Sequence, residues 1–285
     1  MLSLAAPSLD DGVLLETVIA SRNAGVGKSW LVDHVSEIAT AYVAYHAAGA
    51  GLVQLVPMVT DRTSVAHRAM ESNWASLDNT STADVKPAIL KRSARCVLCA
   101  DQQAGQIDHY LPKAVYPEFA ILQANLAPAC GRCNHMKSDR YRQDGQPLFL
   151  HPYHHRLPTE RWLTAEVQLV DGVLVVDFAV IQSPTMSAET YELLARHFSV
   201  LRLGDLYGDN AISAMGEIKL TCQEEFTTGG AQAVQRYLEK LARSVAGFRG
   251  VNHWRSTLME ALGGSWSFCA GGFRYIPDSE GIAID

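Results

Sequence analysis

The first third of the chain has apolar residues at the spacing of an α-helix. They recur every three or four residues after Ser29, a residue type that often caps helix N-termini: Leu31, Val35, Ile38, Tyr42 and Tyr45. Residues 39–60 carry no charged side chain, but a histidine, a glutamine and a proline make them a poor membrane-spanning helix. The pattern predicts a buried helix followed by a short strand, within a mainly helical region over residues 1–85.

The last part of the chain, residues 157–285, has a different pattern. Two β-rich runs, "LTAEVQLV" and "VLVVDFAVI", flank Asp171-Gly172, which predicts a β-hairpin. Helical spacing follows, with an apolar stripe at Val234, Leu238, Leu241 and Val245. The segment "HWRSTLMEALGG" ends in a glycine pair suited to a helix C-cap. We expect this region to be α+β.

Shorter elements are predicted for the segment between these regions, residues 86–156. Asp108 and His109 stand in a short apolar run that ends at Pro112, which is typical of a strand. Neighbouring strand residues point to opposite faces, so the two side chains should not duplicate each other. A second strand is expected to start at Asn125, and "GRCNHMKSDRY" is typical of a helix. The predicted fold class is therefore α+β, with a strand–strand–helix unit between the two flanking regions.

Charge is distributed unevenly along the 285 residues, whose formal net charge is -6. The segment from residue 86 to residue 156 carries a net charge of +5. Its ten basic residues, the basic island, are Lys86, Lys91, Arg92, Arg95, Lys113, Arg132, Lys137, Arg140, Arg142 and Arg156. A basic island on an acidic chain indicates a polyanionic partner such as DNA, and a solvated surface is the alternative.

Two other features of the sequence bear on location and ligands. The N-terminus has no basic segment before its short apolar run, so we expect a cytoplasmic protein with no membrane partner. The stretch "NAGVGKS" resembles a phosphate-binding loop, but Arg22 stands where that pattern requires its first glycine. Nucleotide binding is therefore not expected there.

Four of the six cysteines form two CxxC pairs, Cys96/Cys99 and Cys130/Cys133. Paired knuckles separated by about thirty residues favour a tetrahedral zinc site, since each pair supplies two thiolates. Four thiolates leave no open coordination position, so this Zn²⁺ would be structural. The alternative is four core thiols without a metal. Cys222 and Cys269 are expected to be ordinary core residues.

The strings "CVLC", "IDHYLPK", "NLAPAC" and "CNHMK" together resemble the HNH endonuclease family, with its ββα-metal fold and paired CxxC zinc knuckles. The resemblance covers roughly residues 90–142. With "FLHPY" further along, it extends to the HNH subunits of bacterial anti-phage defence systems. Such a resemblance implies a nuclease domain over residues 86–156 and a protein partner such as an ATPase.

The resemblance also implies roles for individual residues. His109 would be the general base, and Asp108 and Asn134 would bind a catalytic Mg²⁺ or Mn²⁺. Asn125 would brace the loop and orient His109. The expected nucleic-acid contacts are Lys137, Arg132, Arg140 and Lys113.

The chemistry of these residue types agrees with phosphodiester hydrolysis. An imidazole can take a proton from water near neutral pH, and carboxylate and amide oxygens suit a hard cation. We therefore expect a metal-dependent endonuclease that cleaves DNA to 5′-phosphate and 3′-hydroxyl ends. A double-strand break would require a homodimer or two successive nicks. The alternatives are an HNH-type ribonuclease acting on structured RNA and a non-catalytic zinc-containing module that binds nucleic acid.

Three histidines follow this unit, at His151, His154 and His155. They could form a second metal site, but a solvated loop or a packing motif against the strand–strand–helix unit is favoured for a histidine cluster without cysteine.

Overall fold

The computed structural model describes residues 1–7 and 10–277. The chain forms two compact units, Met1–Arg156 and Leu157–Asp285. The mixture of helices and small antiparallel sheets confirms the α+β class. Residues 1–85 and 86–156, which the sequence presents as separate regions, lie in the same unit.

The N-terminal helices bury the apolar stripe expected from the sequence. Helix α1 spans Asp11–Ser21, α2 spans Val26–Asp33 and α3 spans Val35–Ala48. Leu31, Ile38, Tyr42 and Tyr45 are all buried. The proposed cap at Ser29 is wrong, because the helix begins one turn earlier and the Ser29 N–H already donates to the Gly25 carbonyl.

The strand expected within residues 39–60 is also wrong. Gly49, with φ of 53°, ends α3, and a 3₁₀-helix over Gly49–Gln54 follows. Its local hydrogen bonds satisfy the backbone, so Leu52 and Val53 are buried without a partner strand. Three short helices complete this region: α4 (Val65–Glu71), α5 (Asn73–Ser76) and α6 (Val85–Leu90).

The strand–strand–helix unit is present in the predicted order. Strand β1 (Gln106–His109) pairs antiparallel with β2 (Leu126–Ala129), placing Asp108 opposite Ala127. Helix α7 (Gly131–Lys137) follows. A small hairpin of β3 (Arg142–Gln143) and β4 (Gln146–Pro147) comes next.

The loop between β1 and β2, residues 110–125, is enclosed by the N-terminal region. The Tyr116 hydroxyl donates to the Leu55 carbonyl at 2.8 Å, and the Asp11 carboxylate accepts from the Gln123 N–H at 3.1 Å. Residues 116–125 are all buried. The N-terminal helices therefore form one wall of the core around this loop.

The second unit contains the expected hairpin, formed by β5 (Leu163–Val170) and β6 (Val173–Val180). Asp171 and Gly172 have φ of 51° and 80°, as a two-residue type I′ turn requires. Four helices follow: α8 (Ala188–Val200), α9 (Leu203–Arg249, broken at Gly229 and Gly230), α10 (Trp254–Gly264) and α11 (Trp266–Cys269).

Packing between α9 and α10 explains the glycine pair near the end of α10. Val234 and Leu238 are fully buried. The Gly263 backbone lies so close to Leu238 that a Cβ added at Gly263 would be 3.3 Å from the Leu238 Cβ. Helix α10 includes both glycines and ends at Gly264, and its C-cap is Ser265, so the C-cap predicted at the pair is wrong. Among the residues that the structure describes, no helix combines the length and apolarity needed to cross a membrane.

Candidate functional site

The four cysteines of the CxxC pairs converge. Their sulfur atoms all lie within 4.8 Å of one another, and the side chains are buried. Cys130 caps α7, where its Sγ accepts from the Cys133 N–H. Hydrogen bonds among the four thiols shift their pKa values in opposite directions, lowering those of Cys99 and Cys130 and raising those of Cys96 and Cys133. The group could hold a zinc ion, and it ties the segment before β1 to the start of α7. Cys222 and Cys269 are buried in the second unit.

Asp108 forms a buried ion pair with Lys137. Asp108 Oδ1 lies 3.0 Å from Lys137 Nζ, and the two residues are 4% and 0% exposed. The same ammonium donates to the His109 carbonyl at 2.6 Å. Burial raises the pKa of Asp108, and Lys137 opposes this shift. The buried position of Lys137 does not fit a contact with a phosphate group, because its ammonium already bonds to Asp108 and to the His109 carbonyl.

Asn134 lies one turn before Lys137 on α7. Its Nδ2 donates to Gln106 Oε1 at 2.8 Å. Gln106 and Asp108 therefore share the face of β1 that packs on α7, as residues two apart in a strand should. Among the residues that the structure describes, one metal ion could be bound where three or more His, Cys, Asp or Glu side chains lie close enough to bind it together. The four cysteines are the group that meets this condition. The two predicted ligands thus lie at one interface, but each is bonded to a neighbour, and this arrangement does not support a catalytic Mg²⁺ or Mn²⁺ site.

His109 points to the opposite side of β1 and is half-buried. Its Nε2 lies 2.9 Å from the Ala120 carbonyl, which can only accept, so Nε2 carries the proton and Nδ1 keeps the basic lone pair. Burial, and then the positive charges of Lys137, Lys113 and Lys86, lower the pKa of His109 to about 3. The imidazole is therefore neutral near pH 7.

An aromatic residue that sequence reasoning missed covers His109. The Trp74 ring contacts the imidazole edge to face, with 4.7 Å between ring centroids. Lys86 Nζ lies 4.4 Å from the centre of the Trp74 ring and 2.8 Å from Asp78 Oδ1. Trp74 stands on α5 in a polar stretch without periodicity, so no local pattern signals this contact.

Asn125 is fully buried and braces the loop between β1 and β2. Its Oδ1 accepts from the Leu111 N–H at 2.8 Å, and its Nδ2 donates to the carbonyls of Leu111 and Phe119 at 2.9 and 3.2 Å. Tyr45 donates a further hydrogen bond to Oδ1 at 3.1 Å. This geometry agrees with the bracing role that the family resemblance implies, and its burial keeps the side chain from touching a substrate.

The histidines after the unit pack against it. His151 is buried with its ring 4.3 Å from that of Tyr110, and its backbone N–H donates to His155 Nδ1 at 2.8 Å. The His154 ring lies 4.2 Å from that of His151. Of the two arrangements favoured from the sequence, a solvated loop and a packing motif, the structure shows the packing motif.

Much of the basic island serves the fold. Lys113 pairs with Glu71 at 3.2 Å, and Arg92 donates to Gln123 Oε1 at 2.7 Å. Arg132 is half-buried, and Arg140 is exposed and donates to the Met136 carbonyl. Of the expected nucleic-acid contacts, Arg140 is therefore exposed just after α7, and Arg132 on α7 is partly exposed.

The sequence that resembles a phosphate loop has a structural role. Lys28 Nζ donates to the carbonyls of Ala20 and Arg22 at 2.9 and 2.8 Å, which satisfies the C-terminal end of α1. The Arg22 guanidinium donates to Asn73 Oδ1 at 2.7 Å. The Lys28 ammonium is therefore directed at protein carbonyls.

Two known proteins are similar to this chain. Protein ea31 of Escherichia phage lambda is 25% identical over 197 residues, which cover 64% of this chain and 66% of that protein. Septu protein PtuB of Bacillus thuringiensis is 37% identical over 59 residues, which cover 19% of this chain and 23% of that protein. The matches therefore span less than two thirds of the phage protein and less than a quarter of PtuB. No family model and no solved structure matches the chain.

Proposed function

We propose that this protein is an endonuclease of the HNH type that hydrolyses phosphodiester bonds in DNA. The observation that carries the proposal is the state of His109. The imidazole stands at the end of β1, held by the Ala120 carbonyl with Nδ1 as its basic nitrogen. It lies beside Asp108 in a strand–strand–helix unit that the four-cysteine group fastens. An oriented imidazole whose Nδ1 lone pair is free has the geometry of a general base, and its lowered pKa makes it a weaker base than an ordinary histidine.

In the proposed reaction, His109 Nδ1 takes a proton from a water molecule as the water oxygen attacks phosphorus. The bond from phosphorus to the 3′ oxygen breaks, and that oxygen leaves as a hydroxyl after gaining a proton from solvent. The products are 5′-phosphate and 3′-hydroxyl ends. Asn125 holds the loop that supports His109, and Trp74 limits the access of bulk water to the imidazole.

The proposed reaction also involves a divalent ion. Asp108 and Asn134 would hold Mg²⁺ or Mn²⁺, which would neutralise charge on the phosphate. Because Lys137 already pairs with Asp108, an ion would have to compete with a buried ammonium. We therefore expect weak binding of the ion and test the requirement directly.

Cleavage assays separate this proposal from its two alternatives. Supercoiled plasmid and total RNA are incubated side by side with the protein in Mg²⁺, in Mn²⁺ and in EDTA. Nicked or linear plasmid in a metal-containing arm supports the DNA endonuclease. Cleavage confined to RNA indicates the ribonuclease, and binding without cleavage of either substrate indicates a non-catalytic zinc module.

We further propose that the protein is the nuclease component of a bacterial anti-phage defence system and works with a protein partner such as an ATPase. The support is the motif resemblance together with the similarity to Septu protein PtuB over 59 residues. Expression in bacteria with and without the neighbouring genes, followed by phage challenge, tests this role. Equal phage yield with and without the intact protein would contradict it.

A further inference from the structure

The Tyr45 hydroxyl on α3 lies inside the core between two polar side chains. Its oxygen is 3.1 Å from Asn125 Oδ1 and 3.0 Å from His151 Nε2. The Tyr45 ring packs edge to face on Phe119, with 4.9 Å between centroids. Packing alone would be served by phenylalanine. A buried hydroxyl is costly unless its hydrogen bonds are made, so these bonds need an explanation of their own.

The direction of each hydrogen bond follows from its partner. His151 Nδ1 accepts from the Tyr153 N–H at 3.1 Å, and burial lowers the pKa of His151 well below its ordinary value. The neutral ring therefore carries its proton on Nε2, which donates to the Tyr45 oxygen. Tyr45 in turn donates to Asn125 Oδ1, with the Ala124 carbonyl as a longer second acceptor at 3.3 Å.

The chain of donors continues to His109. Asn125 Oδ1 accepts from both Tyr45 and the Leu111 N–H, so Asn125 Nδ2 is directed at the carbonyls of Leu111 and Phe119. The Phe119 carbonyl belongs to the peptide just before that of Ala120, whose oxygen accepts from His109 Nε2 at 2.9 Å. Fixing one peptide restricts the next, because the two are joined at a single Cα atom.

We propose that Tyr45 and His151 are positioning residues for His109. Through Asn125 they hold the loop so that the Ala120 carbonyl keeps the imidazole in its Nε2–H form, with Nδ1 as the base. The inference rests on the proposed nuclease function, because a fixed tautomer matters only if His109 acts as a base. It adds the N-terminal helix α3 and the segment after the strand–strand–helix unit to the residues on which catalysis depends.

Nuclear magnetic resonance of the histidine ring nitrogens tests the tautomer without any substrate. Tyr45→Phe removes one hydroxyl and keeps the ring. The matched control is Tyr116→Phe, which also removes a buried hydroxyl from a hydrogen bond to a carbonyl, that of Leu55. We expect His109 to be in the Nε2–H form in the wild type and in the control. In Tyr45→Phe we expect both tautomers.

Kinetics on plasmid DNA provide the second measurement. Tyr45→Phe should lower kcat by roughly 10- to 100-fold, as misplacement of a catalytic group does, while KM changes less than about twofold. Tyr116→Phe should keep kcat within about threefold, since its bond does not reach His109. His151→Gln retains an N–H donor and should resemble the wild type, whereas His151→Leu should resemble Tyr45→Phe.

The outcomes distinguish this inference from the proposed function. An unchanged His109 tautomer in Tyr45→Phe overturns the inference, as does an equal loss of kcat in Tyr45→Phe and Tyr116→Phe. If Tyr45→Phe fails to fold, equal tautomers in His151→Gln and His151→Leu overturn it instead. If the wild type cleaves nothing, the proposed function fails, and the tautomers alone decide whether Tyr45 and His151 position His109.

Discussion

Asp108 and His109 are adjacent in the sequence but differ in electrostatic environment. The Asp108 carboxylate faces α7 and pairs with a buried ammonium, whereas the His109 imidazole bonds a backbone carbonyl on the other side of β1. Alternation along a strand produces this division. Their variants should therefore have different effects, one on the interior of the fold and the other on the chemical step.

His109→Ala should lower the rate of DNA cleavage by roughly 10²- to 10⁴-fold, the usual contribution of a positioned general base. The backbone of β1 is retained, so stability should change little. His135→Ala is the matched control, because His135 is an exposed histidine on α7. Plasmid nicking rates and thermal unfolding of both variants are the measurements. Cleavage by His109→Ala at the wild-type rate would place the active site elsewhere.

Lys137→Met should destabilise the protein by about 3–5 kcal/mol, because it leaves the Asp108 carboxylate buried without its partner. Adding Asp108→Asn should recover part of that loss, which a double-mutant cycle in urea would measure. Arg140→Ala, at an exposed position, should change stability by less than about 0.5 kcal/mol. Wild-type stability combined with weakened DNA binding in Lys137→Met would restore the phosphate-contact hypothesis.

Glu118, in the loop between β1 and β2, predicts a pH dependence of stability. Its Oε1 accepts from the Met58 N–H at 3.0 Å, while its buried Oε2 has no hydrogen-bond partner within the described residues. Burial raises the pKa of Glu118 from 4.5 to about 7. Between these values the unfolded state has lost the proton and the folded state retains it, so stability falls as pH rises.

Glu118→Gln should therefore gain stability relative to wild type as pH rises from 4.5 to 7, then hold a constant advantage. The shift corresponds to about 3 kcal/mol, from 1.36 kcal/mol per pKa unit. Urea unfolding of both proteins at a series of pH values provides the difference. Parallel stability curves across this range would show that the carboxyl group is not held protonated.

At the scale of elements, the cysteine group connects the segment before β1 to the start of α7. Cys96→Ser or Cys130→Ser should lower stability and solubility, because a small strand–strand–helix unit derives much of its folding free energy from the metal. Purified protein should contain about one zinc per chain. Cys222→Ser, in the second unit, is the control that should retain zinc. Folded protein free of zinc by elemental analysis would exclude the site.

Local patterns predict the elements whose determinants are local. The Asp171-Gly172 turn, the spacing within each CxxC pair and the strand around Asp108 all depend on residues within a few positions of one another. The partners of Lys137 and Tyr45 do not. Lys137 lies 28 residues from His109, and Tyr45 lies 106 residues from His151, so neither contact leaves a periodic signal. The sequence consequently places Lys137 on the surface and gives Tyr45 only a core role.

At the scale of the whole molecule, the residues implicated in chemistry all belong to Met1–Arg156. The cysteine group, His109 and the bonds from Tyr45 and His151 lie within this unit. A nuclease domain confined to residues 86–156 would lack Tyr45, and the Gln123 N–H would lose its acceptor at Asp11. The smallest fragment expected to fold with an ordered site is therefore larger than the motif.

A fragment of residues 1–156 should fold cooperatively, bind about one zinc ion and keep His109 in its Nε2–H form. A fragment of residues 86–156 should not, because burial of residues 116–125 depends on the N-terminal helices. Thermal unfolding, zinc analysis and histidine ring resonances of the two fragments and the full chain are the measurements. Cooperative unfolding of the shorter fragment with a wild-type His109 signal would show that the N-terminal helices are dispensable, and the positioning role of Tyr45 would fail with it.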